Sequence, residues 1–268
     1  MKNRYKIIAC EVMFREVCAA AAKCKNIIDT SFVEIGIHDK GEKRMSARLQ
    51  EEINMADTDN GIYNAILLGF GLCNNGVRGL KANIPIVIPR AHDCITLFLG
   101  SKEKYREYFD ANGGGVYFQT SGWLERDKGD SAQSNILEPT GSKGEETGQP
   151  TKSQGKNTKG ECLEDLIATY GEENAQYLYE TLYELPNYKK MAYINNNIGL
   201  TDQDRKKAQE IAKSRKLDFE EIEGDNSLIF RLLDGNLEEW DKRDFLIVPP
   251  GNKIEPSYDD EILGLDAV

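Results

Sequence analysis

The sequence predicts an α/β protein with two Rossmann-like βαβαβ half-units, mostly parallel sheets and a cleft between them. Short, β-branched apolar segments such as Ile84 to Ile88 lack polar alternation, which is typical of strands buried on both faces. Segments with helical periodicity separate these strands, and such alternation favours a parallel sheet. The succession strand, helix, strand, helix, strand occurs once in each half of the chain, so we infer a weak internal duplication.

The first half alternates between apolar strands and helix-forming segments. In chain order the pattern predicts strand Tyr5 to Ala9, helix Val12 to Cys24, strand Ser31 to Ile37, helix Glu42 to Met55, strands Tyr63 to Phe70 and Ile84 to Ile88, helix Lys102 to Phe109 and strand Val116 to Gln119. Met45, Leu49 and Ile53 recur every four residues and give the second helix one apolar face. Ser101 is a suitable N-cap for the helix that follows it.

The composition changes abruptly after the first half. Residues 127–159 are rich in Gly, Ser, Thr, Lys and Glu and contain too few apolar side chains to form a core, which predicts a flexible insertion. The second half then predicts a helical region Cys162 to Leu185, strand Met191 to Ile194, helix Thr201 to Arg215, strand Asp218 to Ile222, helix Ser227 to Leu233 and strand Asp244 to Val248. We therefore expect domains at residues 1–126 and 160–268.

Charge and composition exclude several classes of function. The net charge of −11 argues against nucleic acid or an anionic membrane as the main partner. The sequence shows neither a secretory nor a spanning segment, which predicts a cytoplasmic protein. Its six cysteines are then expected to be thiols, ligands or core residues rather than a disulfide framework.

Two successive strands of the first half each end close to a cysteine. If the strand order is 2-1-3-4, then Cys10, Cys73 and Cys94 all emerge at one carboxyl edge, where open α/β sheets place their sites. Neighbouring strands lie about 4.8 Å apart, so curling turns could bring three sulfurs together. His92 shares a turn with Cys94, and His38 is predicted on the far side of strand one.

This set of side chains suits more than one chemistry. Three thiolates and the His92 imidazole fit a tetrahedral zinc site, whereas three thiolates alone could hold a [4Fe-4S] cluster with one open iron. The spacing contains no CxxC pair and does not decide between them, and buried cysteines are also ordinary core residues.

Cys94 begins a predicted helix, where the dipole should favour its thiolate as a ligand or nucleophile. Near the same edge, Arg90, Asn74 and Asn75 are candidates for contacts with a cofactor or an anionic substrate.

Four segments carry a family resemblance: CEVMFRE, GFGLCNNG, PRAHDCITLFLGSKEKY and TSGWLE. With these segments the chain resembles the domain-of-unknown-function family 1638, although that family has TPGW where TSGW stands here. The resemblance implies a setting in anaerobes alongside corrinoid-dependent methyltransferase systems. His92-Asp93-Cys94 is also similar to the HxC half of the zinc site in methylcobamide:thiol methyltransferases, but their remaining cysteine lies downstream, whereas Cys73 and Cys10 lie upstream.

Three hypotheses follow. In the first, the cysteines bind zinc and serve methyl-group transfer or corrinoid metabolism, with a thiol or another small molecule as substrate and a corrinoid protein as partner. In the second, they hold an iron–sulfur cluster for electron transfer or sulfur chemistry. In the third, the cysteines are structural, and the chain is a non-catalytic accessory protein that docks a corrinoid protein.

Overall fold

The computed structural model describes residues 2–57, 61–112, 115–126, 188–199 and 201–266. The predicted insertion at residues 127–159 and the predicted helical region at 162–185 lie outside these residues. Within them the protein is a mixed α/β fold with mostly parallel sheets, as expected.

The first sheet has five strands in the order β2-β1-β3-β4-β8. They are β1 (Arg4–Cys10), β2 (Ile27–Val33), β3 (Ala65–Gly69), β4 (Ile86–Pro89) and β8 (Phe245–Val248). The first four are parallel, and the predicted order 2-1-3-4 is confirmed. β3 and β4 are buried along their whole length, in agreement with their unbroken apolar sequences.

Four helices accompany the first sheet in this part of the chain. They are α1 (Phe14–Lys23), which follows a 3₁₀ turn at Glu11–Met13, α2 (Glu42–Asp57), α3 (Cys94–Leu99) and α4 (Lys102–Asn112). The Ser101 hydroxyl accepts a hydrogen bond from the Lys104 backbone N–H at 3.2 Å, so the predicted cap is confirmed. Met45, Leu49 and Ile53 form the buried face of α2, also as predicted.

The second sheet has three parallel strands in the order β5-β6-β7. Its elements are β5 (Val116–Gln119), α5 (Ser121–Arg126), β6 (Lys190–Asn195), α6 (Thr201–Ser214) and β7 (Asp218–Glu223). The helix that follows, α7 (Ser227–Asp234), packs against α1, α3 and β4 of the first sheet. β9 (Ile254–Pro256) and β10 (Leu263–Leu265) form a small antiparallel pair.

Two predictions about strands are wrong in position. The second strand ends at Val33 rather than Ile37, because Gly36 takes a left-handed conformation (φ 78°) and leads into a 3₁₀ turn at Ile37–Lys40. His38 therefore lies on that turn. The strand predicted at residues 244–248 does not complete the second sheet; β8 pairs antiparallel with β4, where it covers an edge that would otherwise be open.

The two sheets meet at the turn Thr120-Ser121-Gly122-Trp123. A Cβ atom on Gly122 would lie 1.8 Å from the Val12 carbonyl oxygen, so α5 packs backbone against backbone on the 3₁₀ turn after β1. The Trp123 ring lies 6.0 Å from that of Phe98 on α3. This TSGW turn therefore connects the second sheet to the carboxyl edge of the first.

No helix among the described residues is long and apolar enough to cross a membrane.

Candidate functional site

Three cysteines lie at the carboxyl edge of the first sheet. Cys10 is the last residue of β1, Cys73 follows β3 by a short loop, and Cys94 is the first residue of α3, just after β4. Because β1, β3 and β4 are adjacent parallel strands, their ends deliver these residues to one place, as the sequence predicted. We call Cys10, Cys73 and Cys94 the thiol cluster.

The loops after β3 and β4 run side by side and are joined through their backbones. The N–H of Leu72 donates to the Ala91 carbonyl at 2.8 Å, and the N–H of Cys73 donates to the His92 carbonyl at 2.9 Å. Gly71 allows this approach, since a Cβ atom there would lie 2.7–2.8 Å from backbone atoms of Ala91 and Asp93. The absence of a side chain at Gly71 therefore allows the two loops to pack together at the thiol cluster.

The turn that carries Cys73 has an unusual backbone. Cys73, Asn74 and Asn75 all have left-handed φ values, of 45°, 55° and 63°. Asparagine tolerates this region, but it costs other L-residues roughly 1–2 kcal/mol each. The N–H of Gly76 donates to the Cys73 carbonyl at 3.0 Å and closes the turn. Strain of this kind is concentrated at functional sites, and here it fixes the position of a cysteine.

Asp93 fixes the start of α3. Its Oδ1 accepts from the backbone N–H groups of Ile95 at 3.0 Å and Thr96 at 3.4 Å, which caps the helix that begins at Cys94. The Tyr105 hydroxyl donates to Oδ2 at 3.2 Å. Burial raises the pKa of Asp93, although these hydrogen bonds oppose the shift.

The three thiols act on one another electrostatically. Burial raises the pKa of both Cys10 and Cys73 to about 12, and the charge of Cys10 contributes to the shift of Cys73. Burial also raises the pKa of Cys94 well above its usual value, with further contributions from Cys73, Asp93 and Cys10. As free thiols all three are protonated near neutral pH. The expectation that the helix dipole favours a Cys94 thiolate is therefore wrong, because burial outweighs the dipole.

Backbone N–H groups surround the sulfurs. That of Val12 is directed at Cys10, and those of Gly71 and Cys94 are directed at Cys73. Such hydrogen bonds favour the thiolate form and are the kind that tune metal–sulfur centres.

The two histidines are placed differently from the cysteines. His92 is exposed, with its ring 6.4 Å from that of Tyr105, and its charge acts on Asp93. His38 lies on the 3₁₀ turn after β2, on the far side of β1 from β3 and β4. Only His92 is adjacent to the thiol cluster.

The three residues predicted to contact a cofactor or substrate lie in two different places. Asn74 is exposed and Asn75 partly buried on the left-handed turn, so both border the thiol cluster. Arg90 instead donates to the carbonyls of Lys242 at 2.8 Å and Glu261 at 2.9 Å and to that of Leu263. Its guanidinium fastens β4 to the C-terminal segments.

Among the described residues, no group of three or more His, Cys, Asp or Glu side chains is arranged so that it could hold a metal ion. The thiol cluster thus has the composition of a metal site but not the converging donor geometry of a bound one.

Sequence reasoning missed Gly71, Asp93 and Tyr105. Asp93 had a signal, since an aspartate directly before an apolar segment is a standard N-cap pattern. The close approach at Gly71 and the hydroxyl contact of Tyr105 depend on tertiary packing, and no sequence spacing indicates them.

Comparison with models of protein families gives a match over most of the chain. A family model described as "Protein of unknown function (DUF1638)" matches residues 32–233, a segment that includes Cys73 and Cys94 and begins after Cys10. No curated protein matches the chain, and no solved structure does.

Proposed function

We propose, from the premise that this chain belongs to the DUF1638 family, that it is a metal-binding protein whose Cys10, Cys73 and Cys94 hold one zinc ion as thiolates. The observation that carries the proposal is that the ends of three adjacent parallel strands bring Cys10, Cys73 and Cys94 to one edge of the sheet, where the charges of Cys73 and Cys10 contribute to the raised pKa of Cys94. Three buried sulfurs from three strand ends resist ionisation when nothing compensates their charge. A divalent cation bound by these cysteines would lower their pKa values, since coordination deprotonates thiols and releases their protons.

The fourth coordination position has two candidates in the chain and one outside it. His92 is on the same turn as Cys94, and Asp93 acts directly on Cys73 and Cys94. Catalytic zinc sites commonly combine three protein ligands with an exchangeable fourth. A substrate thiol in that position would be held as a thiolate near neutral pH. Within this proposal the reaction is methyl-group transfer with a corrinoid protein as partner, the setting that the family resemblance implies.

An iron–sulfur cluster is the second candidate. It is favoured by the backbone N–H groups of Val12, Gly71 and Cys94 that point at the sulfurs, because such hydrogen bonds set the reduction potential of these clusters. Three thiolates would leave one iron open to a substrate. Zinc is colourless and a [4Fe-4S] cluster absorbs visible light, so the two candidates are separable by eye.

The test is metal analysis together with a visible spectrum on the full chain purified without oxygen. We expect about one zinc per chain and no colour, and a loss of metal in Cys73→Ser and Cys94→Ser. The matched control is Cys18→Ser, since Cys18 lies on α1 away from the thiol cluster. Iron with a broad visible band would select the cluster instead.

Other outcomes would contradict both candidates. Metal-free protein, or metal content equal in the Cys73 and Cys18 variants, would leave the cysteines structural. The chain would then fit the accessory protein of the third hypothesis. In that case Cys73→Ser should leave growth on methylated substrates unchanged.

A further inference from the structure

A second polar cluster lies at the carboxyl edge of the second sheet. Asn196 directly follows β6 and Asn226 comes shortly after β7, and these parallel strands are paired up to their last residues, Asn195 and Glu223. Glu16, on α1, projects to the same place. We call Glu16, Asn196 and Asn226 the amide–carboxyl cluster.

These side chains are close to one another. A Cβ atom on Gly224 would lie 1.5 Å from Asn196 Oδ1, so the Asn196 amide occupies the space that Gly224 leaves open. Asn226 Nδ2 donates to the Asn196 backbone carbonyl at 3.1 Å. The Asn196 amide faces the Glu16 carboxyl and acts on its ionisation.

The cluster contains buried polar atoms that lack hydrogen-bond partners. Glu16 is only 3% exposed, and in the part of the chain that the structure describes its Oε2 has no partner. The same holds for the Oδ1 atoms of Asn226 and Asn196. Each unsatisfied buried group costs roughly 1–3 kcal/mol, and native proteins retain few of them. Several together indicate a ligand that satisfies them.

The charge around the cluster is negative. Arg15 is hydrogen-bonded to Glu125 at 2.7 and 2.8 Å, and it also faces Glu16 and Asp204. Asp204 is 8% exposed, and its Oδ2 has no partner among the described residues. Three carboxyl groups thus surround one guanidinium, which favours a cationic ligand.

We propose that the amide–carboxyl cluster binds the ammonium group of a small primary amine. Its three unpartnered acceptors, Glu16 Oε2, Asn196 Oδ1 and Asn226 Oδ1, equal in number the three N–H donors of an ammonium. A divalent metal fits less well, because the cluster offers one carboxyl group and two neutral amide oxygens rather than several charged ligands. The proposal is independent of the thiol cluster.

Ionisation of Glu16 supplies a readout besides affinity. Burial raises the pKa of Glu16 to about 7, while Arg15 lowers it and Glu125 raises it. An ammonium prefers the carboxylate, so binding should be independent of pH above this value. Below about pH 7 the affinity should fall toward tenfold per pH unit.

The test is calorimetric titration of the full chain with ethylammonium, with tetramethylammonium as a cation that has no N–H donors. We expect ethylammonium to bind and tetramethylammonium not to bind. Glu16→Gln should weaken the binding of ethylammonium about 10- to 100-fold, because it removes a charge-assisted hydrogen bond. Glu107→Gln, at an exposed position on α4, is the matched control and should bind like the wild type. Cys73→Ser should also retain binding, which separates this site from the thiol cluster.

Two results would overturn the proposal. If both cations bind alike, the effect is only one of ionic strength. If ethylammonium does not bind to wild-type protein, then Glu16 and Asn196 form a closed acid–amide pair. Neither result depends on whether a variant folds.

Discussion

The two carboxyl edges of this molecule are both formed by adjacent parallel strands, but they carry different chemistry. At the first edge, adjacent parallel strands deliver sulfurs from Cys10, Cys73 and Cys94. At the second edge, adjacent parallel strands deliver amides, which meet a carboxyl from α1. Sulfur ligands select soft or borderline metals, whereas oxygen acceptors select hard cations and N–H donors. The parallel edge therefore sets where a site forms, and the residues after each strand set what it can bind.

The edges also differ in what holds them together. The thiol cluster depends on main-chain contacts, with Gly71 against the backbone of Ala91 and Asp93. At the second edge the Gly224 N–H also donates to the Asn195 carbonyl at 2.9 Å, but the space over Gly224 is filled by a side chain, the Asn196 amide.

The largest expected effect is a pH dependence of folding stability that comes from Glu16 at the second edge. The pKa of Glu16 is raised from 4.5 to about 7, so the folded state binds the extra proton between these values and wild-type stability falls as pH rises through this window. Replacing Glu16 by Gln should remove this loss, about 3 kcal/mol in total. Urea unfolding at pH 4.5 and pH 8 measures it. A variant with the pH slope of the wild type, or an equal change in Glu107→Gln, would contradict the assignment.

A smaller effect tests the difference between backbone packing at Gly71 and side-chain packing at Gly224. Gly71→Ala places a methyl group against backbone atoms that cannot move aside, which should cost roughly 2–3 kcal/mol and abolish metal retention. Gly224→Ala meets mainly the movable Asn196 amide, so it should cost below about 1 kcal/mol while displacing that amide from its site. Denaturant unfolding of the two variants gives the comparison. Equal costs would mean that both edges are held in the same way.

The smallest expected effect comes from the hydrogen bond between Tyr105 and Asp93 at the first edge. Tyr105→Phe removes the hydroxyl that donates to Asp93 and should cost about 1 kcal/mol. It should also speed the release of metal to a chelator, because Asp93 fixes the helix that begins at Cys94. Tyr258→Phe is the control, since Tyr258 is fully exposed and should change neither quantity. Unchanged chelation kinetics in Tyr105→Phe would remove Asp93 from any role in positioning Cys94.

Much of the first edge could be predicted from the sequence. The uninterrupted apolar strands determine a buried parallel sheet, and its order places Cys10, Cys73 and Cys94 together. Burial of the sulfurs could not be predicted, and it reverses the expected effect of the helix on Cys94. The antiparallel placement of β8 also escaped prediction, because an apolar strand pairs with whichever edge is free.

The second edge was not predicted at all. Glu16 lies in a helix with ordinary spacing, and polar residues such as Asn196 and Asn226 are common in turns. Only their buried, unpartnered polar atoms distinguish them, and these depend on tertiary packing that no sequence spacing indicates.

The position of β8 has a consequence for synthesis on the ribosome. β4 becomes an inner strand only when Phe245–Val248 pairs with it, near the end of the chain. Until then the emerging first sheet has an unpaired apolar edge, and Arg90 lacks the C-terminal carbonyls that it later holds. Pairing over so long a separation in sequence is slow, and open edges invite intermolecular pairing. The nascent chain should therefore need protection by chaperones until β8 has been synthesised and has paired with β4.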